Sequence, residues 1–421
     1  MRAIILLGIL CASCLSWCAS ALAYPPAAEM EVTGRADPRL ASFDRLLTTF
    51  LQEHKLPGAA LAVARNGRLV YARGFGHADR AAEESVRPEA LFRIASISKP
   101  LTAVTVLQLV ERKRLKLDDR VFAVLQLQQP KESEFDPRWK KVTILQLLQH
   151  RGGWDRDKSF DPMFRSRTIV KELEVRPPAR PRDIIRYMLR RPLDFDPGTK
   201  YAYSNFGYCL LGRVIEKVSG QSYEEYVRKN VLAPLGIRDM RLGETLLEKR
   251  ARGEVKYHVP KGAVGPAVMG PQLEKPVPLP YGAWCLESMD AHGGWLASAP
   301  DLVRFAAAFN DPQRCKILKP KSIEVLFARP PGASGHKPNG EPRDAYYACG
   351  WMVRPIGDTG KANTWHAGSL DGTSTLLVRR QDGLTWAVLF NSRNSAKKVE
   401  PAATIDPLLH EAADAVKNWP R

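Results

Sequence analysis

Three short segments of the chain contain residue types that can perform acyl-transfer chemistry. The first is Ser96-Ile97-Ser98-Lys99, in which a serine and a lysine are three residues apart. At the start of a helix, Ser96 and Lys99 would share one face, where an amine can take the proton of a hydroxyl. Ser98 has Leu101 at the same spacing, so Ser96 is the candidate nucleophile. The competing interpretation is that Ser96 only caps the helix.

The second segment is Tyr203-Ser204-Asn205, which follows a turn signal at residues 196–198 and precedes a predicted helix. It is the only Tyr-x-Asn among the twelve tyrosines. A phenol within hydrogen-bond reach of a serine can exchange a proton with it. Most loop tyrosines only pack against neighbours, so this segment has little weight alone.

The third segment is His366-Ala367-Gly368-Ser369, just before the predicted C-terminal hairpin. It would lie on or beside an edge strand, whose backbone can reach a bound carbonyl group. The small residues Ala367 and Gly368 would let a substrate approach the main chain, as an oxyanion hole requires. A lone histidine near a strand is more often structural.

Hairpin signals at both ends of the chain predict the sheet that must position these segments. Asn66-Gly67 separates apolar runs at 58–64 and 69–74, and Asp382-Gly383 separates runs at 373–379 and 384–390. Both dipeptides are typical of two-residue β-hairpin turns. Residues 346–353 are a further strand candidate. Two hairpins at opposite ends of the chain suggest one antiparallel sheet.

Apolar periodicity predicts helices at both ends and through the middle of the chain, at residues 40–53, 101–110, 144–148, 184–189, 206–218 and 407–416. The fold class is therefore α/β (α+β), an antiparallel sheet flanked by helices with an inserted, mostly helical domain. We expect the sheet domain to comprise residues 40–115 and 290–421, and the insert residues 116–289.

The first 23 residues form the one long apolar run, with an A-x-A site at Ala21 to Ala23. This pattern predicts a signal peptide over residues 1–23 that is cleaved after Ala23, an exported protein, and a linker at 24–39. We expect no stable membrane span after cleavage. The competing interpretation is a membrane anchor, because the uncharged stretch is almost long enough to cross a bilayer.

Composition limits the partners and cofactors. The formal charge of +18 favours adhesion to anionic polymers such as those of a cell wall, while the absence of any nucleic-acid-binding motif argues against nucleic acid. In the mature chain, after residue 23, the scattered histidines and cysteines lack metal-ligand spacing, so we expect no metal and no cofactor. Cys209 lies in an apolar run and is interpreted as a buried thiol, and the pairing of Cys285, Cys315 and Cys349 stays open.

Together these segments resemble the serine β-lactamase and penicillin-binding-protein superfamily, and more narrowly its class C β-lactamase-related branch of esterases and D-peptidases. The resemblance covers most of the chain from about residue 40. It is carried by LFRIASISK at 91–99, LDDR at 117–120, ILQLLQH at 144–150, FDPGTKYAYSN at 195–205, GGWLAS at 293–298 and HAG at 366–368. The β-lactamase/transpeptidase-like fold is what this resemblance implies.

The resemblance also implies roles for individual residues. Ser96 matches the acylated nucleophile, Lys99 the amine bonded to it, and Tyr203 the residue that shares its proton. Asn205 matches a residue that binds the substrate's amide. The backbone N–H groups of Ser96 and Ser369 match the oxyanion hole. Which of the lysine and the phenol is the base stays open.

One residue departs from the pattern of the lactam-cleaving relatives, which usually have Lys-Thr-Gly where this chain has His366-Ala367-Gly368. A mostly neutral imidazole replaces an ammonium, which weakens attraction for acidic substrates. The resemblance therefore implies a serine hydrolase acting on a small-molecule or peptide substrate through an ester, amide or D-amino-acid peptide bond. The alternatives are a true class C-like β-lactamase or D-alanyl-D-alanine carboxypeptidase, and a non-catalytic cell-wall-binding protein.

Overall fold

The structure is a computed structural model that describes residues 30–130 and 135–420. The predicted signal peptide and its cleavage site lie outside the described residues. Within the described part of the chain, no helix is both long enough and apolar enough to cross a membrane.

Strands from both ends of the chain build the main sheet. The strands are β1 (Val32–Thr33), β2 (Gly58–Arg65), β3 (Arg68–Asp79), β4 (Glu84–Ser85), β5 (Phe92–Arg93), β6 (Arg241–Leu242), β7 (Val264–Pro266), β8 (Pro276–Pro278), β9 (Trp295–Ala297), β10 (Tyr346–Tyr347), β11 (Met352–Pro355), β12 (Ala362–Leu370), β13 (Thr373–Arg379) and β14 (Leu384–Phe390). In the described residues, nine of them form an antiparallel sheet in the order β1-β3-β2-β14-β13-β12-β11-β10, with β4 beside β3. The predicted antiparallel sheet is confirmed.

Both predicted hairpins are present. Asn66 and Gly67 have positive φ values of 50° and 79°, as a type I′ turn requires, and join β2 to β3. Asp382-Gly383 joins β13 to β14, which pair from Ser374 opposite Phe390 to the turn. The pairing of β2 with β14 connects the two ends of the chain.

The predicted strand at 346–353 is wrong, because the segment is two short strands joined by a turn. Tyr346 in β10 pairs with Val353 in β11, and between them the backbone N–H of Ala348 donates to the carbonyl of Trp351 at 2.8 Å. Gly350 turns the chain with a φ of 79°. A Cβ at Gly350 would lie 3.0 Å from the carbonyl oxygen of Lys99. Close packing against the helix that contains Lys99 therefore decides the turn.

Helices follow the predicted periodicity with modest changes at their ends. They are α1 (Ala41–His54), α2 (Ser98–Glu111), α3 (Val121–Val124), α4 (Ile144–Leu148), α5 (Ser166–Leu173), α6 (Pro181–Met188), α7 (Asn205–Ser219), α8 (Tyr223–Val227), α9 (Asp290–Gly293), α10 (Ala299–Ala307), α11 (Pro320–Phe327) and α12 (Pro401–Asp414). The C-terminal helix begins six residues earlier than predicted, at Pro401, because a proline is well tolerated in the first turn.

The core lies between the main sheet and the helices. Every residue of β14 is buried, so both faces of the sheet are covered there. The helix α10 packs against β2 and β14, while α1 and α12 pack against each other and against the sheet. The mixed α/β fold class is therefore confirmed.

The predicted insert is connected to the rest of the fold by a second sheet. This three-stranded sheet has the order β5-β9-β6, so residues of the segment 116–289 pair with strands from outside it. Residues Glu31–Arg421 form one compact unit. The insert boundaries at 116 and 289 stay a prediction. Val32–Thr33, within the predicted linker, pair with β3 and belong to the sheet.

Candidate active site

Ser96 lies in a 3-10 turn, Ala95–Ile97, that leads directly into α2. Ala95 has a φ of 47°, a left-handed conformation that is uncommon for a residue with a Cβ. The main sheet holds the turn, because Thr375 Oγ1 on β13 donates to the carbonyl oxygen of Ile94 at 3.1 Å. The sheet thus fixes the position of Ser96 before α2.

Lys99 is fully buried in the first turn of α2. Its Nζ lies 3.0 Å from Ser96 Oγ, 2.8 Å from Asn205 Oδ1 and 2.9 Å from the carbonyl oxygen of His292. Burial lowers the pKa of Lys99 well below its ordinary value, because the charged form loses hydration. A neutral amine has two N–H groups and one lone pair. The amide and carbonyl oxygens can only accept, so whenever Lys99 is neutral its lone pair is left for the Ser96 hydroxyl.

Tyr203 donates a hydrogen bond to the same serine, with Oη 2.8 Å from Ser96 Oγ. The next residue, Ser204, caps α7, and its backbone N–H donates to His150 Nδ1 at 3.1 Å. The His150 ring packs on the Tyr203 ring at 4.2 Å between centroids. Burial raises the pKa of the phenol, so Tyr203 keeps its proton.

Asn205 is the first residue of α7, and both polar atoms of its side-chain amide form hydrogen bonds. Oδ1 accepts from Lys99 Nζ, and Nδ2 donates to Asp161 Oδ2 at 2.6 Å. A carboxylate oxygen accepts hydrogen bonds, so Asp161 fixes which end of the amide faces Lys99. Burial raises the pKa of Asp161. Asn205, predicted to bind the substrate's amide, therefore also positions Lys99.

His366 lies on β12 and is buried, with 5% of its surface exposed. Nδ1 is 2.7 Å from the carbonyl oxygen of Ala367, which can only accept, so Nδ1 carries the proton. Nε2 then accepts from Tyr347 Oη at 3.0 Å. Burial lowers the pKa of His366 to about 3, because the imidazolium would lose its hydration. The site therefore has a neutral imidazole on this strand.

Close packing within the protein leaves no room for a side chain at Gly368. A Cβ at this position would lie 2.2 Å from the carbonyl oxygen of Ile94 and 2.4 Å from Thr375 Oγ1. The sequence suggested that this glycine makes room for a substrate. The structure shows that it lets β12 approach the turn that carries Ser96.

Ser369 lies on an open edge of β12. Among the described residues, β11 pairs with β12 only as far as Trp365, whereas β13 pairs on the other side as far as Leu370. The second half of β12 therefore offers a free backbone edge beside Ser96. The Ser369 hydroxyl is exposed at this edge and donates to Glu400 Oε2 at 3.2 Å.

Two cavities meet at Ser96. The first, of about 420 Å³, is lined by Arg156, Asn205, Asp371 and Arg393 among others, and we call it the arginine cavity. The second, of about 340 Å³, is called the tyrosine cavity and is lined by Tyr201, Tyr203, Tyr347, Trp365, His366 and Glu400 among others. Ser96, Arg156 and Ser369 border both. The structure thus brings all seven predicted site residues together around one cleft, with Lys99 beneath it.

Sequence reasoning missed Arg156, Asp161, His150 and Tyr347. His150 is the last residue of the motif ILQLLQH at 144–150, and Asp161 stands before a proline, as an N-cap residue often does. Neither pattern indicates a contact with α7. His150, Arg156 and Asp161 lie in the segment between α4 and α5, and Tyr347 lies on β10, so only the folded chain brings them together at the site.

Within residues 30–130 and 135–420, no group of three or more His, Cys, Asp or Glu side chains is placed to hold a metal ion. Cys209 is a buried free thiol, as interpreted from the sequence, and burial raises its pKa to about 12. Cys285, Cys315 and Cys349 are free as well.

The sequence of this chain is similar to those of known proteins. The probable fimbrial assembly protein FimD, serogroup H1, of Dichelobacter nodosus is 35% identical over 180 residues, 43% of this chain and 42% of that protein. Esterase EstB of Burkholderia gladioli is 34% identical over 253 residues, 58% of this chain and 60% of that protein. This chain spans less than two thirds of the length of either relative.

The structure of the octameric penicillin-binding protein homologue from Pyrococcus abyssi superposes with a TM-score of 0.68 at 25% identity, covering 90% of this chain and 78% of that one. The predicted β-lactamase/transpeptidase-like fold is confirmed. The model of the Beta-lactamase family matches residues 43–410. That match spans most of the chain and includes every residue of the cleft, so this chain belongs to the Beta-lactamase family.

Proposed function

We propose that this protein is a serine hydrolase that cleaves an ester, amide or D-amino-acid peptide bond through an acyl-enzyme on Ser96. One observation carries the proposal. Ser96 Oγ lies between a lysine nitrogen at 3.0 Å and a tyrosine oxygen at 2.8 Å, from Lys99 and Tyr203. A serine hydroxyl becomes a good nucleophile when an adjacent base takes its proton.

Lys99 is the base in this proposal. It takes the Ser96 proton as Oγ forms a bond to the substrate's carbonyl carbon, and the carbonyl oxygen becomes negative. When the bond from that carbon to the leaving group breaks, Tyr203 gives its proton to the leaving atom. The resulting phenolate recovers a proton from the Lys99 ammonium, so the pair is reset.

Water completes the cycle. It attacks the acyl carbon and gives a proton to the Lys99 and Tyr203 pair, and Ser96 regains its proton as the acyl group leaves as a carboxylic acid. The negative oxygen of each tetrahedral adduct is bound by the backbone N–H groups of Ser96 and Ser369. The free edge of β12 supports this assignment for Ser369.

The neutral His366 favours esters and peptides over β-lactams. Where lactam-cleaving relatives have a cation, this chain has an imidazole bonded to Tyr347 and Ala367. A neutral group gives up the charge-assisted hydrogen bond to a carboxylate. We therefore expect cleavage of short-chain esters and slow or absent hydrolysis of nitrocefin.

Labelling with a fluorescent fluorophosphonate tests the nucleophile. Ser98 provides a matched control, because it lies two residues away and its buried hydroxyl bonds to the backbone of Trp295. Wild type and Ser98→Ala should be labelled, and Ser96→Ala should lose both label and p-nitrophenyl ester hydrolysis. A wild type that is neither labelled nor active would favour a non-catalytic binding protein. A folded Ser96→Ala protein with more than about a hundredth of normal activity would overturn Ser96 as the nucleophile.

Export is the second part of the proposal. The A-x-A pattern ending at Ala23 supports cleavage there, which gives a mature chain that starts at Tyr24. The formal charge of +18 supports adhesion to anionic cell-wall polymers outside the cytoplasm. Mass spectrometry of the protein expressed in a bacterial host should find Tyr24 at the N-terminus. Met1 retained in a membrane fraction would indicate an anchor instead.

A further inference from the structure

The two cavities beside Ser96 serve different halves of a substrate. Tyr203 lines the tyrosine cavity and gives its proton to the leaving atom in the mechanism above, so the leaving group belongs in that cavity. Asn205 lines the arginine cavity and not the tyrosine cavity. The acyl group therefore belongs in the arginine cavity.

The charges at the two cavities differ. The arginine cavity has two guanidinium groups, and one of them, on Arg393, is paired with Asp371 at 2.5 Å. The other, on Arg156, has only a weak partner among the described residues. That partner is Asp157 at 3.8 Å, with 90% of its side chain exposed. Arg156 can therefore bind a further anion.

Arg156 is also held close to the nucleophile. Its guanidinium carbon lies 4.7 Å from the centre of the Tyr203 ring, within range of a cation–π interaction. A guanidinium that interacts with an aromatic ring through its charge still has N–H groups that can donate to a carboxylate. The side chain is still 43% exposed, so a substrate can reach it.

We propose that Arg156 makes this enzyme selective for substrates whose acyl group carries a carboxylate. The inference rests on the proposed function and names the substrate class of that site. The cation that lactam-cleaving relatives place on the strand is missing at His366, and Arg156 supplies one on the acyl side instead. Arg156 borders the tyrosine cavity as well, but Glu400 offsets its charge there and His366 is neutral, so a carboxylate on the leaving group gains less than one on the acyl group.

The test compares two esters with the same leaving group. p-Nitrophenyl hexanoate and p-nitrophenyl hemiadipate differ only in the end of the acyl chain, a methyl group in one and a carboxylate in the other. Uncatalysed hydrolysis is subtracted for each. The measured quantity is the ratio of kcat/KM for the hemiadipate to that for the hexanoate. Changes that affect the proton-transfer groups act on both esters and cancel in this ratio.

Arg156→Gln should lower that ratio about tenfold, the effect of losing one charge-assisted contact. Arg156→Lys should keep part of it, since a point charge replaces the planar fork. Arg182→Gln is the matched control, because Arg182 is also exposed and also has a 3.8 Å contact with the next residue, Asp183, but lies on α6 outside both cavities. It should leave the ratio unchanged.

A third ester, 4-(hexanoyloxy)benzoate, places the carboxylate on the leaving group. Arg156→Gln should lower kcat/KM for this ester by a smaller factor than it lowers kcat/KM for the hemiadipate. A ratio that does not change in Arg156→Gln, or that changes equally in Arg182→Gln, overturns the inference, as does an equal effect on the benzoate ester. If esters are cleaved and Ser96 is labelled, such a result leaves the proposed function intact. Absent labelling and cleavage overturn both.

Discussion

Asp161 lies one side chain away from the proposed base: it accepts from Asn205 Nδ2 at 2.6 Å, and Asn205 Oδ1 accepts from Lys99 Nζ at 2.8 Å. Burial is the largest influence on the pKa of Lys99 and lowers it. The charge of Asp161 raises this pKa, and that of Arg156 lowers it. One carboxylate and one guanidinium thus shift the pKa of the same amine in opposite directions.

The pH dependence of ester hydrolysis should reveal these opposing charges. Activity requires neutral Lys99, so it rises as pH increases through the pKa of that amine. Asp161→Asn removes the charge that raises this pKa, so the acid limb of kcat/KM should move to lower pH. Arg156→Gln should move the limb to higher pH, by less, because an exposed charge is screened. Arg182→Gln should not move it, and shifts of the same sign in the first two variants would contradict the assignment.

Lys99 and Tyr203 should behave as one proton-transfer unit. Both contact Ser96 Oγ, so Lys99→Ala and Tyr203→Phe should each slow acylation strongly, and the double variant should lose much less than the combined single losses. Single-turnover kinetics with a p-nitrophenyl ester measures the acylation rate. Additive losses would mean that one of the two residues is only structural.

His366→Lys should restore attraction for carboxylate-bearing leaving groups. We expect the ratio of kcat/KM for nitrocefin to that for a neutral ester to rise about tenfold, the effect of one charge-assisted contact. His366→Gln is the control, because it also loses the imidazole bonded to Tyr347 but adds no charge. If the wild type already prefers nitrocefin, or if both variants respond alike, the charge at position 366 does not set the substrate class.

Gly368→Ala should destabilise the fold and displace the nucleophile. The added Cβ would lie 2.2 Å from the carbonyl oxygen of Ile94, and such overpacking costs about 1–3 kcal/mol. Urea unfolding should show this loss together with a lower kcat. Gly207→Ala is the control, since the nearest atom to a Cβ there is 3.7 Å away and the residue lies in α7, where alanine favours the helix. Equal stability of the two variants would contradict the close approach of β12.

The local features of this protein could be predicted because each depends on residues near one another in the chain. Ser96 and Lys99 share a face at the start of α2 because a helix brings residues three apart together. Asn66-Gly67 and Asp382-Gly383 determined two hairpins through their turn preference. The strand predicted at 346–353 was wrong because the turn at Gly350 depends on packing against α2, which is distant in the chain.

The sequence by itself determined the contact between Ser96 and Lys99 and the hairpins of the sheet, through spacing and turn chemistry. Only the tertiary structure decided what surrounds them. Tyr203 contacts a serine 107 residues away, and Asp161 and Arg156 reach the site from loops that no periodicity marks. Burial, which lowers the pKa of Lys99 and of His366, likewise depends on what the whole chain packs over them. Such contacts depend on how distant segments fold onto one another, and spacing along the chain does not encode that arrangement in any local pattern.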